Sequence, residues 1–144
     1  MRSPLVMLSL LALAAASACA TSASRSSAAP LEDTYWRLAE VGGRPAIGAV
    51  GEREAHLQFG RDSARVVGST GCNRLTGTYT SDGATLRFGP AATTRMACLE
   101  PQMGEQEQAF LAALQATERL QIVGDTLTLV GRAGPLARLT AVAK

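Results

Sequence analysis

The residues of this 144-residue chain that could do chemistry are few: three cysteines, one histidine and twelve carboxylates. Cys72 and Cys98 lie far from Cys19, inside what reads as a globular region. They could bond to each other, lie buried as reduced thiols, or act as a redox pair; the absence of Cys-x-x-Cys spacing argues against the last. His56 falls on the polar side of an alternating stretch, with Glu54 and Gln58 opposite Ala55, Leu57 and Phe59, which describes a solvated strand histidine. Without a second histidine no His-based metal cluster is expected. Ser63, Ser69 and Ser81 lack the Gly-x-Ser-x-Gly turn that exposes a nucleophile. No phosphate-cradling loop or dinucleotide fingerprint is present. Glu52 and Glu54, alternating with Arg53, read as a charged loop entering a strand. The expectation is therefore a protein that is not an enzyme, with no catalytic residue, no cofactor and no metal.

Cys19 carries a different message. Arg2 supplies a positive start, Leu5 to Ala16 form a short apolar run, and Ala16-Ser17-Ala18 lead into the cysteine. The run is well short of the roughly 18–20 residues that span a bilayer as a helix. Its ending resembles a bacterial lipobox, in which the cysteine is acylated and becomes the new N-terminus, although Ala16 stands where Leu is usual. The alternative is ordinary signal cleavage that leaves Cys19 as a free thiol. Residues 1–19 are thus expected to be a lipoprotein-type signal and residues 20–33 a flexible spacer, because Ala20 to Pro30 is nearly all Ala, Ser and Thr. Ala20, in place of the Asp that retains such proteins at an inner membrane, favours an outer-membrane anchor facing the periplasm. A soluble periplasmic or secreted protein is the alternative.

The remaining residues, 34–144, are enough for one domain with one core. Fourteen basic residues nearly balance the twelve acidic ones, and the charges are scattered, without the basic stripe of a nucleic-acid binder. Alternation predicts strands at Tyr35 to Val41, Ala55 to Phe59, Ala64 to Val67, Thr76 to Thr80, Ala84 to Phe88, Leu120 to Val123 and Leu136 to Val142. Asp82-Gly83 and Gly124-Asp125 read as hairpin turns. Between them, Glu105 to Thr117 has helix formers and no Gly or Pro, with Phe110, Leu111 and Leu114 on one stripe. Pro101 fits a first helical turn. The fold class is α+β and mainly antiparallel β: a small barrel-like or strongly curved sheet with one α-helix packed against it.

Two segments set the chain apart: Gly71-Cys72-Asn73-Arg74, followed by Gly77 and Tyr79, and Thr94-Arg95-Met96-Ala97-Cys98. With Trp36 near the start and Glu107 in the helix, this ordered set resembles the META domain, or HslJ-like, family over about Thr34 to Leu139. The resemblance implies a small antiparallel barrel-like domain with one helix, in bacterial proteins that are commonly secreted or lipid-anchored and linked to heat shock, antibiotic tolerance or motility. It implies no known reaction.

Within that frame a Cys72–Cys98 disulfide suits an oxidising compartment. Closing a loop of about 25 residues would contribute roughly 3–4 kcal/mol in the chain-entropy view; two buried reduced thiols are the alternative. Asn73 sits in a turn-like context and is expected to satisfy loop backbone groups. Gly68 and Gly71 suggest a bulge or a close backbone approach. Glu107 shares the face of Phe110, Leu111 and Leu114, so it needs a partner unless it reaches solvent. Arg74 and Arg95 are the natural candidates, with Asn73 or loop amides as others. The functional expectation is a monomeric, membrane-anchored envelope lipoprotein with a stress-related binding or structural role and envelope proteins as partners. The alternatives are a small inhibitor or partner-binding module using loops such as Gly42 to Gly51, and a carrier of a small apolar ligand.

Overall fold

Alternation of apolar and polar side chains governs most of this molecule, and the strands close into a ring because each buries only one face. The structure is a computed structural model describing residues 27–48 and 54–143. The signal segment with Cys19, the first half of the spacer and part of the Gly42 to Gly51 loop lie outside the described residues.

In chain order the strands are β1 (Tyr35–Val41), β2 (Arg44–Pro45), β3 (His56–Phe59), β4 (Arg65–Ser69), β5 (Arg74–Asp82), β6 (Thr85–Phe88) and β7 (Ala92–Thr93). The helix α1 (Pro101–Ala116) follows, and then β8 (Arg119–Val123), β9 (Thr126–Gly131) and β10 (Gly134–Val142). Neighbouring strands pair antiparallel in the order β10-β9-β8-β6-β5-β4-β3-β1, and β1 pairs with β10 to close the ring. With β2 and β7 off the ring, eight of the ten strands form the barrel, whose weakest seam is β6–β8, with a single residue pair in register, Thr85 with Arg119. Closure leaves no free sheet edge on the ring.

The interior is filled by Trp36, Leu38, Leu57, Phe59, Val66, Leu75, Tyr79, Leu86, Leu127, Leu129 and Leu139, with Phe110 and Leu114 from the helix. These are the inward residues of strands alternating with period two. The expected strands all form, with boundaries displaced by a few residues. Gly83 adopts φ +57° and turns the β5–β6 hairpin together with Ala84, while Asp82 stays in the strand, paired with Thr85.

Pro101 begins the helix, where a missing N–H leaves no bond unmade. Its buried face is Gln106, Phe110, Ala113 and Leu114; Leu111 and Met103, expected on the stripe, are only half-buried. The helix lays that face against β1, β6, β9 and β10, with Phe110 fully buried. The domain also begins earlier than residue 34: Ala29 and Leu31 pack against the core, and the Ala29 N–H donates to the Gly124 carbonyl at 2.9 Å.

Candidate functional site

The β4–β5 turn builds the site from local rules. Ser69 ends β4, Thr70 follows it, and Gly71, with φ +93°, reverses the chain in a conformation that a side chain would strain. Thr70 Oγ accepts the Asn73 N–H at 2.9 Å and the Cys72 N–H at 3.3 Å, and the Thr70 N–H returns a bond to the Asn73 carbonyl at 2.8 Å. This hydroxyl-capped turn holds Cys72 at the rim and points Asn73, 3 % exposed, inward. Gly68 allows the two strands beneath to approach closely: a Cβ there would lie 2.0 Å from the His56 carbonyl oxygen.

Asn73 organises the second signature segment. Its Oδ1 accepts the Met96 N–H at 2.8 Å and the Thr94 hydroxyl at 2.9 Å, and its Nδ2 donates to the Met96 carbonyl at 3.2 Å. One side-chain amide thus satisfies both backbone groups of Met96. Thr94 Oγ in turn accepts the Arg74 N–H at 3.0 Å. Nearby, Cys72 and Cys98 are joined in a disulfide, with Cα atoms 5.5 Å apart. The expectation of a loop-satisfying asparagine describes part of its work, and the reduced-thiol alternative is not what this structure holds.

Glu107 meets the same residues from the helix. Asn73 Nδ2 donates to its two carboxylate oxygens at 3.2 and 3.0 Å, and Thr70 Oγ donates to Oε2. Glu107 therefore ties the helix directly to the Cys72-bearing turn, and to the Cys98-bearing segment only by way of Asn73, without an arginine. Arg74 and Arg95 are both exposed, and no ion pair to Glu107 occurs among the described residues. The reason is alternation: Arg74 follows Asn73 and so faces away from the interior. One residue earlier, buried Gln106 donates from Nε2 to the Ile47 carbonyl at 2.9 Å and accepts the Ile47 N–H, so the helix also grips the chain after β2.

Thr70 was not singled out in the sequence, although it stands three residues before Asn73, the spacing of a hydroxyl-stabilised turn. Gln106 stands beside Glu107 and four residues before Phe110, on the buried helical face.

The remaining signature residues lie elsewhere. Trp36 is fully buried and donates from Nε1 to the Leu31 carbonyl at 2.8 Å. Gly77 sits in β5 opposite Val66. Tyr79, 5 % exposed, donates to the Gly60 carbonyl at 2.9 Å and lies 3.3 Å from Glu32 Oε1. Burial, with the Glu32 carboxylate beside it, raises the Tyr79 phenol above its ordinary pKa.

This architecture and these residues agree with what comparison finds. Residues 29–143 match the family described as META domain. The chain belongs to the META domain family. A solution NMR structure of a protein from Burkholderia xenovorans superimposes with a TM-score of 0.63 at 27% identity, covering 79% of this chain and 85% of that one. A second NMR structure gives a TM-score of 0.61 at 25% identity, over 75% of this chain and 89% of that one. No curated protein matches the sequence. In this META domain the two cysteine-bearing segments, residues 71–74 and 94–98, meet at the disulfide. The surface of the second segment and the residue after it is partly apolar, because Met96 is 64% and Leu99 85% exposed.

Proposed function

We propose that this META domain protein is an exported, lipid-anchored protein of the bacterial envelope that faces the periplasm and acts by binding a partner protein, without catalysis. The observation that carries the binding reading is the segment 94–100. It keeps Met96 and Leu99 in solvent while the disulfide and the Asn73 amide hold its backbone in one shape. Preorganised apolar side chains lose little conformational freedom on association, and recognition commonly sits on loops held by a rigid scaffold. The reading as a carrier of an apolar ligand is less favoured, because Trp36, Phe59, Phe110 and the leucines occupy the interior. Export and acylation are supported by the Arg2 start, the apolar run and the small residues before Cys19. A role under envelope stress is supported by the resemblance described above.

Two measurements test this. Metabolic labelling with a fatty-acid analogue should mark the wild-type chain and not Cys19→Ser; an unlabelled wild type removes the anchor. In a deletion strain under envelope stress, Leu99→Asp should fold and be exported yet fail to restore growth. Full restoration by that variant removes segment 94–100 as the contact surface.

A further inference from the structure

The disulfide has a carboxylate beside it that forms no ion pair among the described residues. Cys72 Sγ, Cys98 Sγ and a Glu107 carboxylate oxygen all lie within 4.8 Å of one another, and all three residues are half-buried. Glu107 comes from the helix, Cys72 from the β4–β5 turn and Cys98 from the segment before α1, so three separate stretches of chain converge on one point. We propose that reduction of this disulfide creates a binding site for a thiophilic divalent cation, of which Zn(II) is the type, with Cys72, Cys98 and Glu107 as ligands.

The donor set fits that chemistry. Two thiolates and one carboxylate suit a borderline-soft ion that favours four-coordinate tetrahedral geometry. At metal–sulfur distances of about 2.3 Å, two thiolates on one ion stand about 3.8 Å apart. The sulfurs must therefore separate from their bonded 2.09 Å, and the carboxylate oxygen already lies within 4.8 Å of both. The carboxylate is held in place: Asn73 Nδ2 and the Thr70 hydroxyl donate to it. Hydrogen bonds of this kind orient ligating carboxylates in metal sites. Asn73 Nδ2 also lies 3.5 Å from Cys72 Sγ, and such a donor stabilises a thiolate. The segment carrying Cys98 is otherwise exposed, which leaves the fourth position open to water.

The steps balance. A dithiol reductant attacks one sulfur, forms a mixed disulfide, and closes to its own cyclic disulfide. Two electrons and two protons pass to the protein, leaving two thiols. The ion then displaces both thiol protons as it forms two metal–sulfur bonds and one metal–oxygen bond. The oxidised protein has no thiolate to offer, so the site exists in one redox state only.

The test uses the full chain carrying Cys19→Ser, so that the third thiol is silent. It is reduced with a dithiol, freed of reductant without oxygen, and titrated with Zn(II) against a chromophoric chelator. Co(II) serves as a second probe through its sulfur-to-metal absorption and tetrahedral d–d bands. Reduced protein should take one equivalent of Zn(II) and oxidised protein none. Glu107→Gln, which keeps an acceptor for Asn73 and Thr70, should weaken binding at least about tenfold. Cys72→Ser should abolish the cobalt–sulfur absorption. If the reduced chain has lost β structure by circular dichroism, Zn(II) should restore it. The proposal is overturned if reduced protein binds no more tightly than Cys72→Ser, if Glu107→Gln matches the wild type, or if Zn(II) fails to restore a reduced chain that has unfolded.

Discussion

The two ends of the barrel are closed by different physics. At the end where β3 finishes and β4 begins, Tyr79 packs edge-on against Phe59 with ring centroids 5.0 Å apart, Phe88 lies 5.9 Å from Phe59, and the Tyr79 hydroxyl bonds the Gly60 carbonyl. At the other end, where β4 turns into β5, a covalent bond and one asparagine hold a segment that is almost wholly exposed. The first end excludes water with large rings and needs few polar bonds. The second leaves apolar side chains outside, so its order must come from a cross-link and from bonds to a single buried amide. Packing spreads its contribution over many contacts; a network centred on Asn73 concentrates it. The disulfide end is therefore where single substitutions should do most harm, and also where a surface is free to act.

The largest expected effect comes from removing the cross-link. Cys72→Ala with Cys98→Ala should lower stability by roughly 3–4 kcal/mol under the chain-entropy model, read as a lower denaturant midpoint than wild type under non-reducing conditions. A loss below about 1 kcal/mol would place the order of that end in the hydrogen bonds alone. Next, Asn73→Ala leaves both backbone groups of Met96 without this partner and the Glu107 carboxylate with the Thr70 hydroxyl as its remaining donor. About 2–3 kcal/mol should be lost, together with faster amide exchange across residues 94–98. At the opposite end, Tyr79→Phe keeps the ring and removes only the hydroxyl, so about 1 kcal/mol is expected. If it costs more than Asn73→Ala, the contrast between the ends is reversed.

The same tyrosine gives the comparison a pH signature. Its folded pKa is raised, first by burial and then by the neighbouring Glu32 carboxylate. Its contribution is therefore complete below the unfolded phenol value near 10 and is lost as pH rises through the folded value. Tyr35 is raised in the same direction, again by burial first and then by Glu54. Stability should fall in this alkaline range, and Tyr79→Phe should flatten part of the decline in thermal melts recorded at successive pH values. The smallest effect belongs to Arg61→Ala. Its guanidinium pairs with Asp33 at 2.9 Å in full solvent contact, so the melting temperature should barely move.

Much of the scaffold is legible without coordinates, because its signals are local. Alternation marks Leu57 and Phe59 as inward, Gly124-Asp125 marks the β8–β9 turn, and Pro101 marks the helix start. The site was legible only in its members. Glu107 could be placed on the apolar face of the helix and inferred to need a partner, but Arg74 and Arg95 were the chemically obvious choices and the wrong ones. Charge complementarity ranks an arginine above an amide, whereas the turn at Gly71 directs Asn73 inward and Arg74 outward. Thr70 escaped notice because a threonine beside a glycine is ordinary turn chemistry until a carboxylate arrives 37 positions later in the chain.

What the sequence by itself determined is whatever depends on near neighbours: the strand period, the turn residues, the helix and the family's ordered motifs. Tertiary structure alone decided that β1 meets β10, that Asn73 reads both backbone groups of Met96, and that two sulfurs and a carboxylate share one point. Periodicity acts over a few residues, while ring closure and the disulfide site depend on the summed twist and turns of strands far apart in the chain.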